Sequence, residues 1–447
     1  MRKILFISLG CDKNLVDSEV MLGLLHKAGF TLTDDEREAD VIVVNSCCFI
    51  GDAKEESINT ILDMARYKEI GVCKALVVTG CLAERYKEEV LTEMPEVDAV
   101  VGTSSYDHIV EVVQSVLEHH IHTQTFESID ITPTRTANRL VTTGGHYAFL
   151  KIAEGCDKHC TYCVIPQVRG HYRSVPMEDL LAEARSLVDG GVKELILVAQ
   201  ETTLYGVDLY GEKTLPKLLR ELAKIPGLVW IRIQYCYPEE ITDELIQTIR
   251  EEIKVCSYLD IPIQHASDSI LKRMGRRTTE SAIREMIAKL RREIPDLALR
   301  TTLISGFPGE TEEDHETLMR FIDDMEFDRL GVFTYSQEED TPAAAMEDQI
   351  PEEVKKERRA EAMELQQEIS LEKCQDMIGR TVLVMIEGKV ADENAYVGRT
   401  YRDAPGVDGY IFINTDQELM SGDFVHARVT GALEYDLMGE LCDEFTE

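Results

Sequence analysis

Residues 155–163 read Gly-Cys-Asp-Lys-His-Cys-Thr-Tyr-Cys, so that Cys156, Cys160 and Cys163 lie on one short loop after a strand-like run, Tyr147–Ala153. Three thiolates at this spacing can bind three irons of a 4Fe–4S cluster and leave the fourth iron open to a chelating ligand. The alternative is a zinc site completed by a nearby histidine, His159 or His171. Structural zinc sites usually combine two paired half-sites, so the single compact triplet favours an iron–sulfur cluster.

The chain around this loop alternates strand and helix patterns, which predicts a parallel sheet. Six apolar runs are the candidate strands: Tyr147–Ala153, Glu194–Val198, Val229–Gln234, Val255–Asp260, Ala298–Ile304 and Arg329–Tyr335. Six such units predict an incomplete (β/α)6 TIM-type barrel over residues 146–373, with its active face at the C-terminal ends of the strands. The cysteine loop lies at that face. A long charged helix, Glu352–Gln375, is predicted to follow as a strut.

The first 120 residues repeat the alternation and predict a separate flavodoxin-like domain with a parallel sheet. Its candidate strands are Ile4–Leu9, Val41–Val44 and Ala75–Thr79. A cysteine follows each of them, in the order Cys11, Cys47 and Cys81. Ligands bind beyond the carboxyl ends of such strands, so the three cysteines can converge on one site. Their spacing alone leaves open a second interpretation, three cysteines packed in a core.

Two further segments complete the predicted organisation. Residues 121–145 lack periodicity, are rich in polar residues and are predicted to be a linker. Residues 375–442 contain strand-like pieces separated by glycine and aspartate turns, which predicts a small all-β barrel of the OB type. The pieces are Thr381–Ile386, Tyr410–Ile413 and Phe424–Val429.

Composition and charge indicate the cellular compartment of the protein and the class of macromolecule that it binds. The chain has 447 residues, 12 cysteines and a net charge of −36. It shows neither a signal peptide nor an apolar stretch long enough to span a bilayer, so a cytoplasmic protein without membrane association is expected. In a reducing compartment the cysteines are expected to serve metal binding or catalysis rather than disulfides. The acidic balance disfavours nucleic acid as a partner and favours a basic macromolecule.

The CxxxCxxC triplet after the first strand of an incomplete barrel resembles the radical S-adenosylmethionine (SAM) superfamily. Further motifs narrow the resemblance to the methylthiotransferases. They are Cys160-Thr-Tyr-Cys-Val-Ile-Pro166, Arg169-Gly170, Arg173-Ser174, Leu259-Asp-Ile-Pro-Ile-Gln-His265, Thr302-Leu-Ile-Ser-Gly-Phe-Pro-Gly-Glu310 and Tyr335-Ser336. The resemblance extends over the whole chain. It implies an N-terminal domain with an auxiliary cluster, a radical SAM barrel and a C-terminal TRAM-like barrel.

The resemblance also implies which residues form the sites. Two 4Fe–4S clusters are expected, a catalytic one on Cys156, Cys160 and Cys163 and an auxiliary one on Cys11, Cys47 and Cys81. Candidates for binding SAM are polar or glycine residues at the strand ends: Tyr162, Gln200, Glu201, Gln264, His265, Arg300 and Gly306. Ordinary turn chemistry is the alternative for each of them. The remaining cysteines are predicted to pack in the core: Cys48, Cys73, Cys236, Cys256, Cys374 and Cys442.

Two methylthiotransferase branches differ in substrate, one modifying an adenosine of tRNA and the other an aspartate of the twelfth small-subunit ribosomal protein. Leu9-Gly-Cys-Asp-Lys-Asn-Leu-Val-Asp-Ser-Glu19 and Tyr258-Leu-Asp-Ile-Pro-Ile-Gln-His-Ala-Ser267 resemble the ribosomal branch. From Gln375 to Glu447, five basic residues stand against fifteen acidic ones, a net charge of −10. Such a barrel suits a basic ribosomal protein better than RNA phosphates, so direct nucleic-acid binding is not expected.

The reaction implied by the resemblance adds a methylthio group to the β-carbon of the aspartate. It uses two SAM molecules per turnover, one to generate a 5′-deoxyadenosyl radical and one as methyl donor. It also needs an electron donor such as flavodoxin. One alternative is a tRNA adenosine methylthiotransferase. An alternative of another class is a non-catalytic iron–sulfur protein that binds the ribosome.

Overall fold

The structure, a computed structural model, describes residues 2–119, 122–131, 139–391 and 393–442. The predicted linker, residues 121–145, lies partly outside these ranges. Within the described ranges, no helix has both the length and the apolar composition needed to cross a membrane.

The N-terminal domain is a six-stranded parallel sheet covered by helices on both faces. Its strands are β1 (Lys3–Ser8), β2 (Thr31–Leu32), β3 (Val41–Ser46), β4 (Ala75–Gly80), β5 (Ala99–Val101) and β6 (Thr123–Thr125). Its helices are α1 (Asp12–Lys27), α2 (Gly51–Ala65), α3 (Tyr67–Ile70), α4 (Cys81–Tyr86), α5 (Glu88–Glu93) and α6 (Ile109–His119). The strand order β2-β1-β3-β4-β5 is the flavodoxin-like order, extended by β6.

The central domain contains a second six-stranded parallel sheet, open between its first and last strands. In spatial order its strands are β7 (Tyr147–Lys151), β10 (Glu194–Val198), β11 (Trp230–Ile233), β12 (Val255–Asp260), β13 (Ala298–Ser305) and β14 (Arg329–Thr334). A short antiparallel pair, β8 (Ala153–Glu154) and β9 (Arg173–Ser174), lies beside it. The six predicted strands are confirmed, and the sheet is an incomplete barrel as expected.

Helices follow these strands and cover the outside of the sheet. They are α7 (Ile165–Arg169), α8 (Met177–Asp189), α9 (Val207–Tyr210), α10 (Leu215–Ala223), α11 (Asp243–Glu251), α12 (Asp268–Arg273), α13 (Glu280–Glu293) and α14 (Glu312–Met325). The long helix α15 (Glu352–Gln375) has the predicted bounds. It packs on β14, where Arg359 Nε donates to the backbone oxygen of Val332 at 2.9 Å.

The C-terminal domain is a closed five-stranded barrel in the order β15-β16-β17-β19-β18. Its strands are β15 (Thr381–Lys389), β16 (Ala395–Arg399), β17 (Ile411–Asn414), β18 (Phe424–Ala432) and β19 (Leu437–Leu441). The sequence patterns indicate only β15, β17 and β18. Two glycines interrupt the apolar pattern of the other strands. A Cβ on Gly398 of β16 would lie 2.6 Å from Val384 Cγ1, and a Cβ on Gly439 of β19 would lie 3.1 Å from the backbone oxygen of Arg428.

A buried layer of ion pairs fixes this barrel to the central domain. Glu194 of β10 accepts hydrogen bonds from Arg232 at 2.8 Å and from Arg399 of β16 at 2.7 Å, and all three side chains are fully buried. A second pair joins Arg329 of β14 to Asp403 at 2.6 Å. Buried charges remain stable only when they are paired, so these contacts set the orientation of the two domains.

Candidate cluster and cofactor site

The cysteine loop 155–163 is held at the C-terminal face of the central sheet by backbone contacts. Gly155 has φ +80°, and a Cβ at this position would overlap the backbone oxygen of His171, so only glycine fits. The amide of Cys156 donates to the backbone oxygen of Gly170 at 3.1 Å. The amide of Thr161 donates to the backbone oxygen of Met274 at 3.0 Å, which ties the loop to α12.

The three sulfur atoms of this loop form one electrostatically coupled group. Burial raises the pKa of Cys156 to about 11, and the neighbouring Cys160 adds to the shift. Burial also raises the pKa of Cys163, with contributions from Cys160 and Cys156. Burial makes the thiolate forms unfavourable, and a bound metal cation offsets this effect because coordinated thiols lose their protons. Three neighbouring thiols, two of them buried and that of Cys163 half-buried, are therefore a donor set that fits an iron–sulfur cluster.

Gln200 and Glu201 lie beside the loop at the end of β10. Gln200 Nε2 donates to Glu154 Oε1 at 2.8 Å. The side-chain oxygen of Gln200 is buried and has no partner among the described residues. Glu201 is fully buried, and one of its carboxylate oxygens is likewise without a partner there. Burial raises the pKa of Glu201 to about 7. Buried polar atoms of this kind need a bound partner, which fits a polar ligand such as SAM.

Gln264 and His265 follow β12 and have different surroundings. Gln264 is half-buried and has φ +71°, and its backbone bonds to β13 on both sides. His265 is fully buried; its Nδ1 accepts from the amide of Ser267 at 2.9 Å, and its Nε2 lies 3.6 Å from Glu310. The Glu310 carboxylate in turn accepts from the amide of Gly306 at 2.7 Å. His265 thus contacts the loop after β13 through Glu310 and helps to hold it in place.

The other two candidates, Tyr162 and Arg300, occupy different places in the barrel. Tyr162 is half-buried and packs edge-on against Phe307, with ring centroids 6.3 Å apart. Arg300 is paired with Asp260 at 2.8 Å and with Asp408 of the C-terminal domain at 3.3 Å. Its side chain therefore joins two domains. A role of either residue in binding SAM stays a prediction.

Cys11, Cys47 and Cys81 converge in the structure at the carboxyl edge of the N-terminal sheet. Cys11 and Cys47 follow β1 and β3, which flank the topological switch point where ligands bind in this fold. Gly10 has φ +85°, and a Cβ at this position would lie 2.7 Å from Cys47 Cβ and 2.8 Å from its Sγ. Glycine is therefore required here to let the two cysteines approach each other.

The thiols of this second group also influence one another. Burial raises the pKa of Cys47 to about 12, and Cys81 and Cys11 raise it further. The backbone of Cys47 is fixed by Ser57, whose hydroxyl accepts from the Cys47 amide at 2.9 Å and donates to its oxygen at 2.8 Å. Cys11 is exposed, so the group opens to solvent on one side. This arrangement fits an auxiliary cluster with room for a further ligand.

Arg169 links the two cysteine groups, and no sequence pattern singled it out as a site residue. It ends α7, directly after the cysteine loop, and its Nε lies 3.4 Å from Cys81 Sγ. It also donates to Asn14 Oδ1 at 2.9 Å, to Asp17 at 2.6 Å and to Glu154 at 3.2 Å. The predicted resemblance included the Arg169-Gly170 pair, but the contacts of Arg169 depend on two domains that meet only in the folded chain.

The remaining cysteines are mostly core residues, as predicted. Five of them are buried within apolar clusters: Cys48, Cys73, Cys236, Cys256 and Cys374. Cys442 is instead partly exposed, near the hydroxyl of Thr381.

Family models match three successive parts of the chain. Residues 3–102 match the Uncharacterized protein family UPF0004, residues 150–322 match the Radical SAM superfamily, and residues 378–442 match the TRAM domain. Among solved structures, the radical SAM methyltransferase TsrM of Kitasatospora setae is similar in fold, with a TM-score of 0.54 and 14% identity over 76% of this chain and 74% of that one.

Curated relatives match from end to end. The ribosomal protein uS12 methylthiotransferase RimO of Lachnoclostridium phytofermentans is 65% identical, over 98% of this chain and 99% of that protein. The proteins of the same name from Geobacter sulfurreducens and Clostridioides difficile are 52% and 50% identical, over 98% and 99% of this chain and 98% and 100% of theirs.

These matches confirm the resemblance drawn from the motifs, the mixed α/β fold class and the transferase class. The predicted cofactors, SAM and two 4Fe–4S clusters, are those of this family. With 65% identity across nearly the whole of both chains, the protein belongs to the ribosomal protein uS12 methylthiotransferase family of radical SAM enzymes.

Proposed function

We propose that this protein adds a methylthio group to the β-carbon of an aspartate in ribosomal protein uS12, in the cytoplasm where ribosomes are modified. The observation that carries the proposal is the junction of two cysteine groups through one arginine. Arg169 contacts both Cys81 and Glu154, the residue two positions before Cys156. A substrate side chain at this junction meets both sites without leaving the protein.

In this proposal the two cysteine groups have separate roles. Cys156, Cys160 and Cys163 hold the catalytic cluster, which together with SAM supplies a 5′-deoxyadenosyl radical when bound. Cys11, Cys47 and Cys81 hold the auxiliary cluster near the substrate, as a site for the sulfur. The unpartnered oxygens of Gln200 and Glu201 orient the polar groups of SAM. The protein thus binds, orients and shields the reactants while the cofactors carry the chemistry.

The charge of the C-terminal barrel supports a basic protein as substrate. Two of its five basic residues, Arg399 and Arg402, are buried against the central domain. Two of its acidic residues, Asp403 and Asp408, pair with arginines in the same interface. The net charge of the rest is therefore still −10. Such a surface attracts a basic ribosomal protein and repels phosphates, so we propose no direct contact with nucleic acid.

An acidic electron donor such as flavodoxin is the proposed source of electrons. The last turn of α12 and the segment after it carry four basic residues, an unusual concentration in this acidic chain: Lys272, Arg273, Arg276 and Arg277. Part of it lines a surface groove of about 540 Å³. The Arg276 guanidinium lies 4.1 Å from the ring centroid of Tyr237, and the Tyr237 hydroxyl lies 3.5 Å from Cys160 Sγ. A donor docked there would be close to the catalytic cluster.

The test is a parallel modification assay without oxygen. Reconstituted protein receives SAM and a reductant, together with either small ribosomal subunits or unmodified tRNA, and mass spectrometry looks for one methylthio group. We expect the gain on an aspartate of uS12 and none on tRNA. The Cys160→Ala variant serves as the blank and should produce no 5′-deoxyadenosine.

Each other result selects a different function. A gain on tRNA alone would replace the proposal with the tRNA branch while the radical chemistry stood. No gain on either substrate and no 5′-deoxyadenosine, in protein that holds its full iron and sulfide, would mean a non-catalytic iron–sulfur protein. Persisting SAM cleavage in the Cys160→Ala variant would refute the assignment of the catalytic cluster.

A further inference from the structure

Lys13 is a buried cation that extends from the N-terminal domain over the mouth of the central barrel. It lies in the first turn of α1, two positions after Cys11, and only 8% of its surface is exposed. Its Nζ lies 4.0 Å from the ring centroid of Tyr235. Tyr235 lies two positions after the end of β11, on the active face of the barrel. Lys13 is therefore between the auxiliary cysteines and the radical SAM domain.

The ammonium group of Lys13 has no paired carboxylate in the part of the chain that the structure describes. Among the described residues it forms no hydrogen bond and no ion pair, in contrast to the buried Lys151, which pairs with Asp17 and Glu154. The charged and titratable groups that face it are Tyr235, Cys11, Asp12 and Asp260. Asp260 is already paired with Arg300. These groups favour the charged ammonium without forming an ion pair with it, so its N–H donors are available to an incoming carboxylate.

We propose that Lys13 binds the side-chain carboxylate of the substrate aspartate and so selects an acidic residue at the modified position. This inference rests on the proposed function. The β-carbon that is modified is bonded directly to that carboxylate. A carboxylate held at Lys13 Nζ therefore keeps the β-carbon beside Cys11 and in front of the barrel mouth. A charge-assisted hydrogen bond provides both affinity and orientation.

Two other roles for Lys13 make different predictions. The ammonium could bind the carboxylate of SAM, in which case its loss would weaken SAM binding whatever the substrate. Lys13 could also serve only to pack the two domains together through its contact with the Tyr235 ring. In that case its loss would not change the preference for one substrate side chain over another. Only the proposed role links Lys13 to the chemical identity of the substrate side chain.

The experiment is a cycle of enzyme and substrate variants. Wild-type, Lys13→Met and Lys13→Arg enzymes, each with its iron and sulfide content measured, act on uS12 and on a uS12 variant whose target aspartate is replaced by asparagine. The specificity constant kcat/KM for modification is measured for every pair of enzyme and substrate. Lys27→Met, at the exposed end of the same helix, is the matched control.

We expect the wild-type and Lys27→Met enzymes to prefer aspartate over asparagine by roughly 10- to 100-fold, and Lys13→Met to lose this preference. Lys13→Arg, which keeps the charge, should recover part of it. An unchanged preference in Lys13→Met with normal iron content would overturn the inference. So would a higher SAM requirement for cleavage in Lys13→Met with the preference intact. If wild-type enzyme fails to modify uS12 at all, the proposed function itself is wrong.

Discussion

At the scale of single residues, adjacent cysteines of this chain have different surroundings. Cys47 faces Gly10 and the other two auxiliary cysteines, whereas Cys48 is fully buried in the apolar core of the N-terminal domain. Cys48 also lies near Cys81, but apolar side chains surround it, whereas Gly10 leaves room for the Cys47 thiol. The pair therefore offers a test in which the chemical change is identical and only the direction of the side chain differs.

Replacing Cys47 by alanine is expected to remove the auxiliary cluster and about half of the bound iron, because one of three ligands is lost. SAM cleavage should persist while the methylthio product disappears. Iron analysis, 5′-deoxyadenosine release and mass spectrometry of uS12 measure these three quantities. The matched Cys48→Ala variant should keep the iron and the product. Equal iron loss in both variants would contradict the assignment of Cys47 as a ligand.

At the scale of elements, the short helix that follows the cysteine loop anchors the N-terminal domain to the barrel. Its last residue, Arg169, is almost fully buried and neutralises Asp17 and Glu154, which come from the two different domains. Removing Arg169 leaves the two buried carboxylates with Lys151 as their remaining cation among the described residues. The cost of such a loss is much larger than that of any exposed ion pair.

The Arg169→Gln variant is accordingly expected to lose about 3–5 kcal/mol of unfolding free energy. Chemical denaturation followed by circular dichroism measures this loss. Arg220 pairs with Glu244 at 2.7 Å on the surface, with 36% of its side chain exposed. The control Arg220→Gln should cost only about 0–1 kcal/mol. A loss of the same size in both variants would show that the Arg169 contacts do not hold the domains together.

At the scale of the whole molecule, charge is distributed unevenly over the surface. The C-terminal barrel keeps its acidic excess on the outside, whereas its two buried arginines serve the domain interface. The cations near the catalytic cysteines lie on the central domain: Lys272, Arg273, Arg276 and Arg277. In the proposed function the acidic surface meets the basic substrate and the basic surface meets the electron donor, and long-range attraction is expected to increase the rate of each encounter.

Reversing two exposed charges of the barrel, Glu418→Lys with Glu440→Lys, is expected to lower kcat/KM for uS12 roughly tenfold at low ionic strength. The difference should shrink as salt screens the field. The control reverses Glu88 and Glu89, two exposed residues of the N-terminal domain. Kinetics over a series of salt concentrations measures the effect. A difference that does not depend on salt would show that the substitutions act through folding.

The sequence by itself determined the order of the domains, the six strands of the central sheet and the CxxxCxxC loop. Each depends on neighbours in the chain: a buried parallel strand is a continuous apolar run, and three ligands on one loop have a fixed spacing. The same logic explains what it missed. Strand β6 falls inside the predicted linker, because three residues at a sheet edge are too few to show a pattern.

Only the tertiary structure decided which distant residues share a site. Cys11, Cys47 and Cys81 meet because parallel strands end at one edge, and Arg169 and Lys13 acquire their roles where two domains touch. Arg300, a candidate for binding SAM, pairs with Asp260 and with Asp408 of the C-terminal barrel, which lies far from it in the sequence. The physical reason is that a side chain's charge interacts with whatever the fold places within a few ångströms, and those neighbours are far apart in the sequence.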